Sequence, residues 1–216
     1  MIPIKSVYAV EISGACNLER TCTWCPMNKR PRYRNRGLMS DENVDQALGW
    51  VKKLGASEEA LNLHVFGEPL LHPRFHEIAW KFSCLTPITM STNGVLLDEA
   101  WADGLATVPW AWISVSPWNL EAQAKAITLL HERGIRTMSP PGATHDWAGQ
   151  SEGPKSLHLG NCPFLNYGRC VIRWDGAIAA CCISDREEDV VGHVAEEPTK
   201  VFLRPYSICA TCHHRG

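Results

Sequence analysis

Short apolar segments rich in β-branched residues alternate with helical segments along the N-terminal part of this chain. The segments predicted as strands are 7–12, 61–66, 88–91, 111–115 and 135–138. The segments predicted as helices are 40–54, 73–82, 98–105 and 120–133. Strict alternation of strand and helix implies parallel strands joined by right-handed crossovers. The sequence therefore predicts an α/β fold, built as an open sheet or as a full or partial barrel.

Residues suited to chemistry follow the predicted strands. They are the cysteines of 16–25 after the first strand, Gly67 and Glu68 after the second, Asn93 after the third, and Ser114 and Ser116 at the end of the fourth. In a parallel α/β architecture, the loops at the carboxyl ends of the strands hold the functional site. We therefore expect these residues to converge on one rim of the sheet.

Ten cysteines in 216 residues are more than the packing of a chain of this length requires. The N-terminus, MIPIKSVYAVEIS, lacks the features of a signal peptide, and no apolar run reaches membrane-spanning length. We therefore expect a cytoplasmic protein without a membrane partner. In a reducing compartment, clustered cysteines indicate metal or redox chemistry rather than disulfides. A formal net charge of -2 argues against a general polyanion-binding surface.

The stretch CNLERTCTWC brings Cys16, Cys22 and Cys25 close together in sequence. Three thiolates can hold a 4Fe-4S cluster with one iron left open, whereas a closed structural zinc site needs a fourth ligand. Taken alone, the spacing leaves two alternatives, which are a zinc knuckle completed by a histidine and a set of buried, inert thiols.

The cysteine stretch, with Trp24 before its last cysteine and with FGEP after the second strand, resembles the radical S-adenosylmethionine (SAM) enzymes. The resemblance is to the members with a C-terminal SPASM or twitch extension, and it covers most of the chain. It implies a partial (β/α) TIM-like barrel, here shortened to about five or six parallel strands. It also implies that Cys16, Cys22 and Cys25 hold a 4Fe-4S cluster whose open iron binds SAM. Reductive cleavage of SAM would give a 5'-deoxyadenosyl radical that takes hydrogen from a substrate C–H bond.

The resemblance further implies which residues contact SAM. They are Trp24, Gly67, Glu68, Ser91, Asn93, Ser114 and Ser116. Gly67 and Glu68 match the motif that meets the SAM amino group, and a carboxylate suits that role because it accepts hydrogen bonds from an ammonium group. The chain departs from the family in two places. Phe66 stands where the family has a first glycine, and the gap between Cys16 and Cys22 is wider than usual.

The C-terminal cysteines surround the stretch VIRWDGAIAACCISD, which predicts a β-hairpin that turns at Asp175 and Gly176. This pattern resembles the SPASM or twitch extension. The resemblance implies that one auxiliary 4Fe-4S cluster is held by Cys162, Cys181, Cys209 and Cys212.

Three questions about the cysteines stay open in the sequence. Cys170 is a rival for Cys162, and Cys182 is a rival for Cys181. A zinc ribbon is the alternative for the C-terminal cysteines as a whole. Cys84 lies at a helix end, and we predict that it is a buried core thiol.

The composition changes to Pro, Gly, Ser and His over 139–160, which predicts a boundary between a radical SAM core at 1–150 and a SPASM/twitch-like domain at 151–216. The core is about one strand-helix unit shorter than in the family. The open side that results favours a bulky substrate, such as a peptide or a nucleic acid or nucleotide conjugate, with a small metabolite as the alternative. A basic run is either a solvated loop or a contact for phosphates or an acidic peptide, and it comprises Lys29, Arg30, Arg32, Arg34 and Arg36, with Tyr33 among them.

The sequence thus predicts a radical SAM enzyme of oxidoreductase or isomerase type. Its reaction would be an oxidation, a cross-link or a rearrangement, or, on a small metabolite, that of a dehydrogenase or epimerase. Its cofactors would be SAM, the SAM-binding cluster and one auxiliary cluster, and its partner an electron donor such as flavodoxin or ferredoxin. The competing hypothesis is a non-enzymatic zinc-binding protein that binds partners through the basic run.

Overall fold

A computed structural model describes residues 1–19, 21–22, 25–28, 36–57, 59–140, 147, 162–184 and 186–212. Trp24 lies outside the described residues, as does the basic run apart from Arg36. Most of the predicted boundary segment also lies outside them, so the division of the chain near residue 150 stays a prediction.

A sheet of eight described strands forms the centre of the fold, in the order β6-β5-β4-β3-β2-β7-β8-β9. Its strands are β2 Ser6–Val10, β3 Leu61–Asn62, β4 Ile88–Thr92, β5 Trp110–Val115, β6 Thr137–Met138, β7 Arg169–Ile172, β8 Ala177–Ala179 and β9 Val190–His193. The strands from β6 to β7 in this order are parallel, and β8 and β9 continue the sheet in antiparallel pairing. The predicted α/β fold with a short, open parallel sheet is confirmed. The sixth parallel strand, β7, comes from the cysteine-rich C-terminal region.

Five α-helices are described: α1 Asp41–Leu54, α2 Phe75–Ser83, α3 Glu99–Ala106, α4 Leu120–Glu132 and α5 Pro163–Tyr167. Polar side chains fix where three of them begin. Ser40, Asp98 and Asn119 each accept a hydrogen bond from a first-turn amide of the helix that follows, at 3.2, 2.8 and 3.0 Å. Such N-caps satisfy amides that have no partner inside the helix.

The two faces of the sheet carry different residues because side chains alternate along each strand. In β4, Ile88 and Met90 are fully buried in the main hydrophobic core, which also contains the buried faces of the helices. The alternate residues, Thr89 and Ser91, line a cavity on the opposite face. Helices α1 to α4 therefore pack on one face and leave the other for the functional site.

The C-terminal region docks onto this sheet through its predicted β-hairpin. Val171 of β7 pairs with Ala179 of β8 in antiparallel register. The turn between the strands contains Gly176, whose φ of 83° is a conformation that glycine adopts without strain. Further along, the Trp50 indole of α1 donates to the Val194 carbonyl at 2.9 Å. The strands β1 Ile2–Pro3 and β10 Phe202–Leu203 pair the two ends of the chain.

Two predicted strands are shorter than expected. The strand predicted at 135–138 comprises only Thr137 and Met138. Residues 61–66 were expected as a strand, but β3 comprises only Leu61 and Asn62, and the Leu63 amide makes one more ladder bond to the Thr89 carbonyl (2.8 Å). The chain then leaves the sheet to carry Gly67 toward the loop after β2. Within the described residues, no helix is long and apolar enough to cross a membrane.

Candidate active site

The cysteine loop after β2 folds through hydrogen-bonded turns. The Leu18 carbonyl accepts hydrogen bonds from the amides of Thr21 (2.9 Å) and Cys22 (3.2 Å), and the Cys22 carbonyl accepts one from the Cys25 amide (3.3 Å). Turns use more residues than an extended chain to cover the same distance. These turns accommodate the extra residues between Cys16 and Cys22, so that Cys22 lies near Cys16 again.

The three thiols of this loop lie close enough to affect one another's ionisation. Burial raises the pKa of Cys22, and charge on Cys25 and Cys16 raises it further. Burial also raises the pKa of Cys16, and charge on Glu68 acts in the same direction. A bound iron would reverse this balance, because a metal selects the thiolate form of its ligands.

Gly67 lies where the loops after β2 and β3 touch. A Cβ atom on Gly67 would stand 2.0 Å from the Ser13 carbonyl oxygen and 2.6 Å from that of Ala15. The Glu68 amide donates to the same Ala15 carbonyl at 2.7 Å. Only glycine permits this approach of two backbones, and the contact brings Glu68 beside the cysteine loop.

The Glu68 carboxylate is buried, with 1% of the residue exposed, and accepts three hydrogen bonds. Its Oε1 accepts from the Leu70 amide (3.1 Å) and the Thr92 hydroxyl (2.8 Å), and its Oε2 accepts from the Asn93 amide (2.8 Å). Burial raises the pKa of Glu68 to about 7, although these hydrogen bonds oppose the shift. A cationic ligand would restore the ionised form.

Asn93 connects the Glu68 carboxylate with the cysteine loop. Its side-chain amide donates to Asn17 Oδ1 at 2.7 Å and lies 3.9 Å from Cys16 Sγ. The structure therefore brings four of the predicted residues together, namely Cys16, Gly67, Glu68 and Asn93. Such a site combines thiols with a buried carboxylate that can accept hydrogen bonds from an ammonium group.

The predicted serines lie further along the sheet. Ser91 and Ser114 are opposite each other in the register of β4 and β5. Both line a cavity of about 420 Å³, whose walls are Tyr8, Glu59, Ala60, Asn62, Thr89, Ser91, Trp112 and Ser114. Asn62 Oδ1 is buried and has no hydrogen-bond partner among the described residues. Ser116 lies at the rim, where its amide donates to the Thr92 carbonyl at 2.9 Å.

Five thiols from the C-terminal region form a second cysteine group, which comprises Cys162, Cys181, Cys182, Cys209 and Cys212. Cys162 precedes α5, Cys181 and Cys182 follow β8, and Cys209 lies in the 3-10 turn Ser207–Ala210. Burial raises the pKa of Cys182 to about 11, and charge on Cys162 and Cys212 acts in the same direction. Burial raises the pKa of Cys209 as well, again with charge on Cys162 and Cys212 adding to the shift. Cys181 is affected similarly by Cys182 and Cys212.

Two other cysteines lie elsewhere. Cys170 is fully buried in the main core, and its raised pKa is caused by burial with no contribution from a described thiol. Cys84 is exposed at the C-terminal end of α2, so the prediction that it is a core thiol was wrong. The side chain at a helix end points away from the core here, and helix position alone did not reveal this.

Both cysteine groups offer free thiols, which are the ligands of iron-sulfur clusters. No disulfide joins any of the ten cysteines, all of which the structure describes. Within the described ranges, no three His, Cys, Asp or Glu side chains are placed to hold one metal ion. A 4Fe-4S cluster binds each thiolate to a different iron, so its ligands stand further apart than those of one zinc ion.

A family model described as the radical SAM superfamily matches residues 10–118. The chain belongs to the radical SAM superfamily. The matched residues contain the N-terminal cysteines, Gly67, Glu68 and both cavity serines. Members of this family hold a 4Fe-4S cluster and cleave SAM to a radical, so the chain is an enzyme of this class. A search of curated proteins found no match.

Solved structures of radical SAM proteins share the fold. BtrN in complex with AdoMet and 2-DOIA has a TM-score of 0.72 at 18% sequence identity, covering 93% of this chain and 82% of BtrN. SuiB of Streptococcus suis, bound to its precursor peptide SuiA, has a TM-score of 0.63 at 13% identity, covering 85% of this chain and 60% of SuiB. anSMEcpe with bound AdoMet and a peptide has a TM-score of 0.59 at 15% identity, covering 92% of this chain and 79% of that one. At these identities the likeness concerns the fold alone.

Three residues near the site had no role predicted from the sequence. Thr92 donates to Glu68, and its place before Asn93 and Gly94 at a strand end was a usable signal. Burial lowers the pKa of His64 to about 4, so its imidazole is neutral at pH 7, and its ring hydrogen-bonds the Gly67 backbone. Arg173 lies buried beside the second cysteine group. A lone arginine in a strand gives no sequence signal for burial, because most arginines are exposed.

Proposed function

We propose that this chain is a radical SAM enzyme with one auxiliary 4Fe-4S cluster in a SPASM/twitch-like C-terminal region. The observation that carries the proposal is the second cysteine group. Its thiols come from three separate segments of the chain. Besides burial, charge on Cys162 and Cys212 nevertheless raises the pKa of both Cys182 and Cys209, which indicates that the segments meet next to the radical SAM core. Convergence of distant thiols in a family that already uses iron-sulfur chemistry is best explained by a second cluster.

Cys16, Cys22 and Cys25 would hold the SAM-binding cluster, which supplies the electron for SAM cleavage. Glu68 would accept hydrogen bonds from the SAM amino group. Its position is supported by the tight Gly67 backbone contact and by three hydrogen bonds that fix the carboxylate. Rigid placement of a ligand-binding group lowers the cost of ordering it on binding.

The remaining predicted SAM residues have different supporting observations. Asn93 is already hydrogen-bonded between Glu68 and the cysteine loop, which supports a place near the SAM amino acid moiety. Ser91 and Ser114 share the cavity wall, and Ser116 is next to Thr92 at the rim. We propose that these three serines contact the more distant parts of SAM. The role of Trp24 stays a prediction from the family resemblance.

Cys162, Cys209 and Cys212, with Cys181, would hold the auxiliary cluster. Cys162 is preferred over Cys170 because its charge acts on Cys182 and Cys209, whereas Cys170 is enclosed in the main core. Cys182 stays a rival for Cys181, since both are half-buried and both interact with Cys212.

The substrate would place a polar group in the part of this cavity lined by Glu59, Asn62 and Trp112, beside the serines that contact SAM. Its lining contains hydroxyl, amide and aromatic groups and one carboxylate, Glu59, and it suits a neutral or cationic group better than a phosphate. A peptide that inserts one side chain fits this description and agrees with the peptide complexes of SuiB and anSMEcpe. We propose oxidation, cross-linking or rearrangement of such a bulky substrate, with flavodoxin or ferredoxin as the electron donor.

A small metabolite is the second candidate for the substrate. It is favoured by the cavity volume of about 420 Å³, which is in the range of small-molecule sites, and by the complex of BtrN with 2-DOIA. Deuterium-labelled peptides and deuterium-labelled small metabolites distinguish the two substrate classes. Transfer of deuterium into 5'-deoxyadenosine identifies the class whose C–H bond is attacked.

Analysis of iron, sulfide and zinc in anaerobically purified protein tests the proposal. We expect about eight irons and eight sulfides per chain, with 5'-deoxyadenosine formed on addition of SAM and dithionite. About four irons with one zinc would refute the auxiliary cluster and leave the radical SAM assignment intact. Zinc without sulfide would refute both.

A further inference from the structure

Arg173 is a buried cation between the SAM side of the molecule and the second cysteine group. It directly follows β7 and is only 1% exposed. Its guanidinium carbon lies 4.9 Å from the centre of the Phe66 ring. On the other side, Nη2 donates to the Cys181 carbonyl at 3.1 Å and to the Ser184 carbonyl.

The guanidinium is only partly satisfied by these contacts. Within the described part of the chain, neither Nε nor Nη1 has a hydrogen-bond partner. Nε carries one N–H and Nη1 carries two, so three of the five donors of the guanidinium are free. Burying a charge with unmet donors is energetically unfavourable, and an anion with several acceptor atoms would remove that penalty.

Two carboxylates lie near Arg173 besides the thiols of the second cysteine group. Glu11 is buried, and its two oxygens accept from the amides of Phe66 and Trp174. The contact of Nη2 with the Cys181 carbonyl places the guanidinium beside the Cys181 and Cys182 segment of the second cysteine group. Asp189 lies close enough for the charge of Arg173 to act on its carboxylate. Its Oδ2 accepts a hydrogen bond from the Ser184 hydroxyl, and its Oδ1 has no described hydrogen-bond partner. The side chain of Asp189 therefore does not satisfy the guanidinium.

We infer that Arg173 is the counter-charge of the auxiliary cluster and that its free N–H groups donate hydrogen bonds to the cluster or its thiolates. The inference rests on the proposed function, because it requires a cluster at the second cysteine group. A nearby positive charge and N–H donors stabilise the more negative, reduced state of a cluster and so raise its reduction potential. Arg173 is thus a positioning residue that acts through the cluster.

The test is a potentiometric titration of both clusters, followed by electron paramagnetic resonance, in the cluster-loaded Arg173→Met and Arg173→Lys variants. In Arg173→Met, we expect the midpoint potential of the auxiliary cluster to fall by at least the equivalent of a tenfold change in the one-electron equilibrium, about 59 mV. Arg173→Lys keeps the charge and should recover part of the shift. The potential of the SAM-binding cluster should not change.

Arg169→Met is the matched control, because Arg169 begins the strand that Arg173 follows, and its guanidinium carbon lies 5.0 Å from the centre of the Tyr167 ring. An unchanged auxiliary potential in Arg173→Met, with both clusters present, would overturn the inference. So would a loss of SAM affinity without a potential shift, since Arg173 would then serve the SAM carboxylate. A wild-type protein with zinc or no metal at the second cysteine group would instead mark failure of the proposed function.

Discussion

The backbone amide of Asn93 donates a hydrogen bond to Oε2 of Glu68 at 2.8 Å, so the end of β4 holds the carboxylate that follows β3. The Thr92 hydroxyl holds the other carboxylate oxygen at the same distance. Because these donors come from a neighbouring strand, Glu68 cannot turn away from the cysteine loop without losing both.

SAM binding should weaken as the pH falls through the pKa of Glu68, which is about 7. Below that value the carboxyl is increasingly protonated and no longer attracts the SAM ammonium group, so affinity should fall by up to about tenfold per pH unit. Isothermal titration of the cluster-loaded protein between pH 6 and 7.5 measures this.

Glu68→Gln should bind SAM roughly tenfold to a hundredfold more weakly at pH 7.5 and lose most of the pH dependence. Glu77→Gln is the control, because Glu77 lies on the exposed surface of α2 and pairs with Arg74. Equal pH profiles for wild type and Glu68→Gln would rule out the carboxylate as the ammonium acceptor.

The unfolding free energy of the apo protein should also depend on the protonation of Glu68. Its pKa is about 7 in the folded state against an ordinary 4.5, so the folded state binds more protons between these values. Stability from this group is therefore lost as the pH rises from about 4.5 to 7, by about 3 kcal/mol.

Measuring the unfolding free energy of wild type and Glu68→Gln in urea across this range isolates the effect. Relative to wild type, the unfolding free energy of the variant should increase by about 3 kcal/mol as the pH rises through this range, whatever its value at pH 4.5. A difference between the two proteins that stays constant with pH would contradict the raised pKa.

Gly67→Ala should destabilise the protein by about 3 kcal/mol. The added methyl would meet the Ser13 and Ala15 carbonyls, which are backbone atoms and cannot move aside. Gly49→Ala is the matched control, because nothing lies within 4 Å of its added methyl on α1. That substitution should stabilise the helix by roughly 0.5–1 kcal/mol. Urea denaturation of both variants gives the comparison, and equal stabilities would show that the two loops are not in tight contact.

Serine variants should separate the cysteines into three classes, which are cluster ligands, an exposed thiol and a core thiol. Cys16→Ser and Cys162→Ser should each reduce bound iron by about four per chain, because each removes a ligand of a different cluster. Cys84→Ser should leave iron and stability unchanged, since Cys84 is exposed. Cys170→Ser should keep the iron but lower stability, because it places a hydroxyl in the core. Loss of four irons in Cys170→Ser without unfolding would make Cys170 the ligand instead of Cys162.

The sequence predicted most of the regular elements because their signals are local. Ser40, Asp98 and Asn119 cap helices that begin within a residue or two of the predicted positions. The pair Asp175 and Gly176 predicted the β-hairpin, because few residue pairs adopt such a turn. The shortened β3 was not predictable, because the chain leaves the sheet there to make a contact with a loop about fifty residues earlier.

By itself, the sequence determined the family and the chemistry, because thiols and a carboxylate at fixed spacings after strands are readable from residue order. Only the tertiary structure decided which distant groups meet. It placed Cys170 in the core and Cys84 on the surface, enclosed Glu68 so that its pKa rises, and set the buried Arg173 against Phe66 and the second cysteine group. Burial and long-range electrostatics depend on residues far apart in the chain, so no local pattern records them.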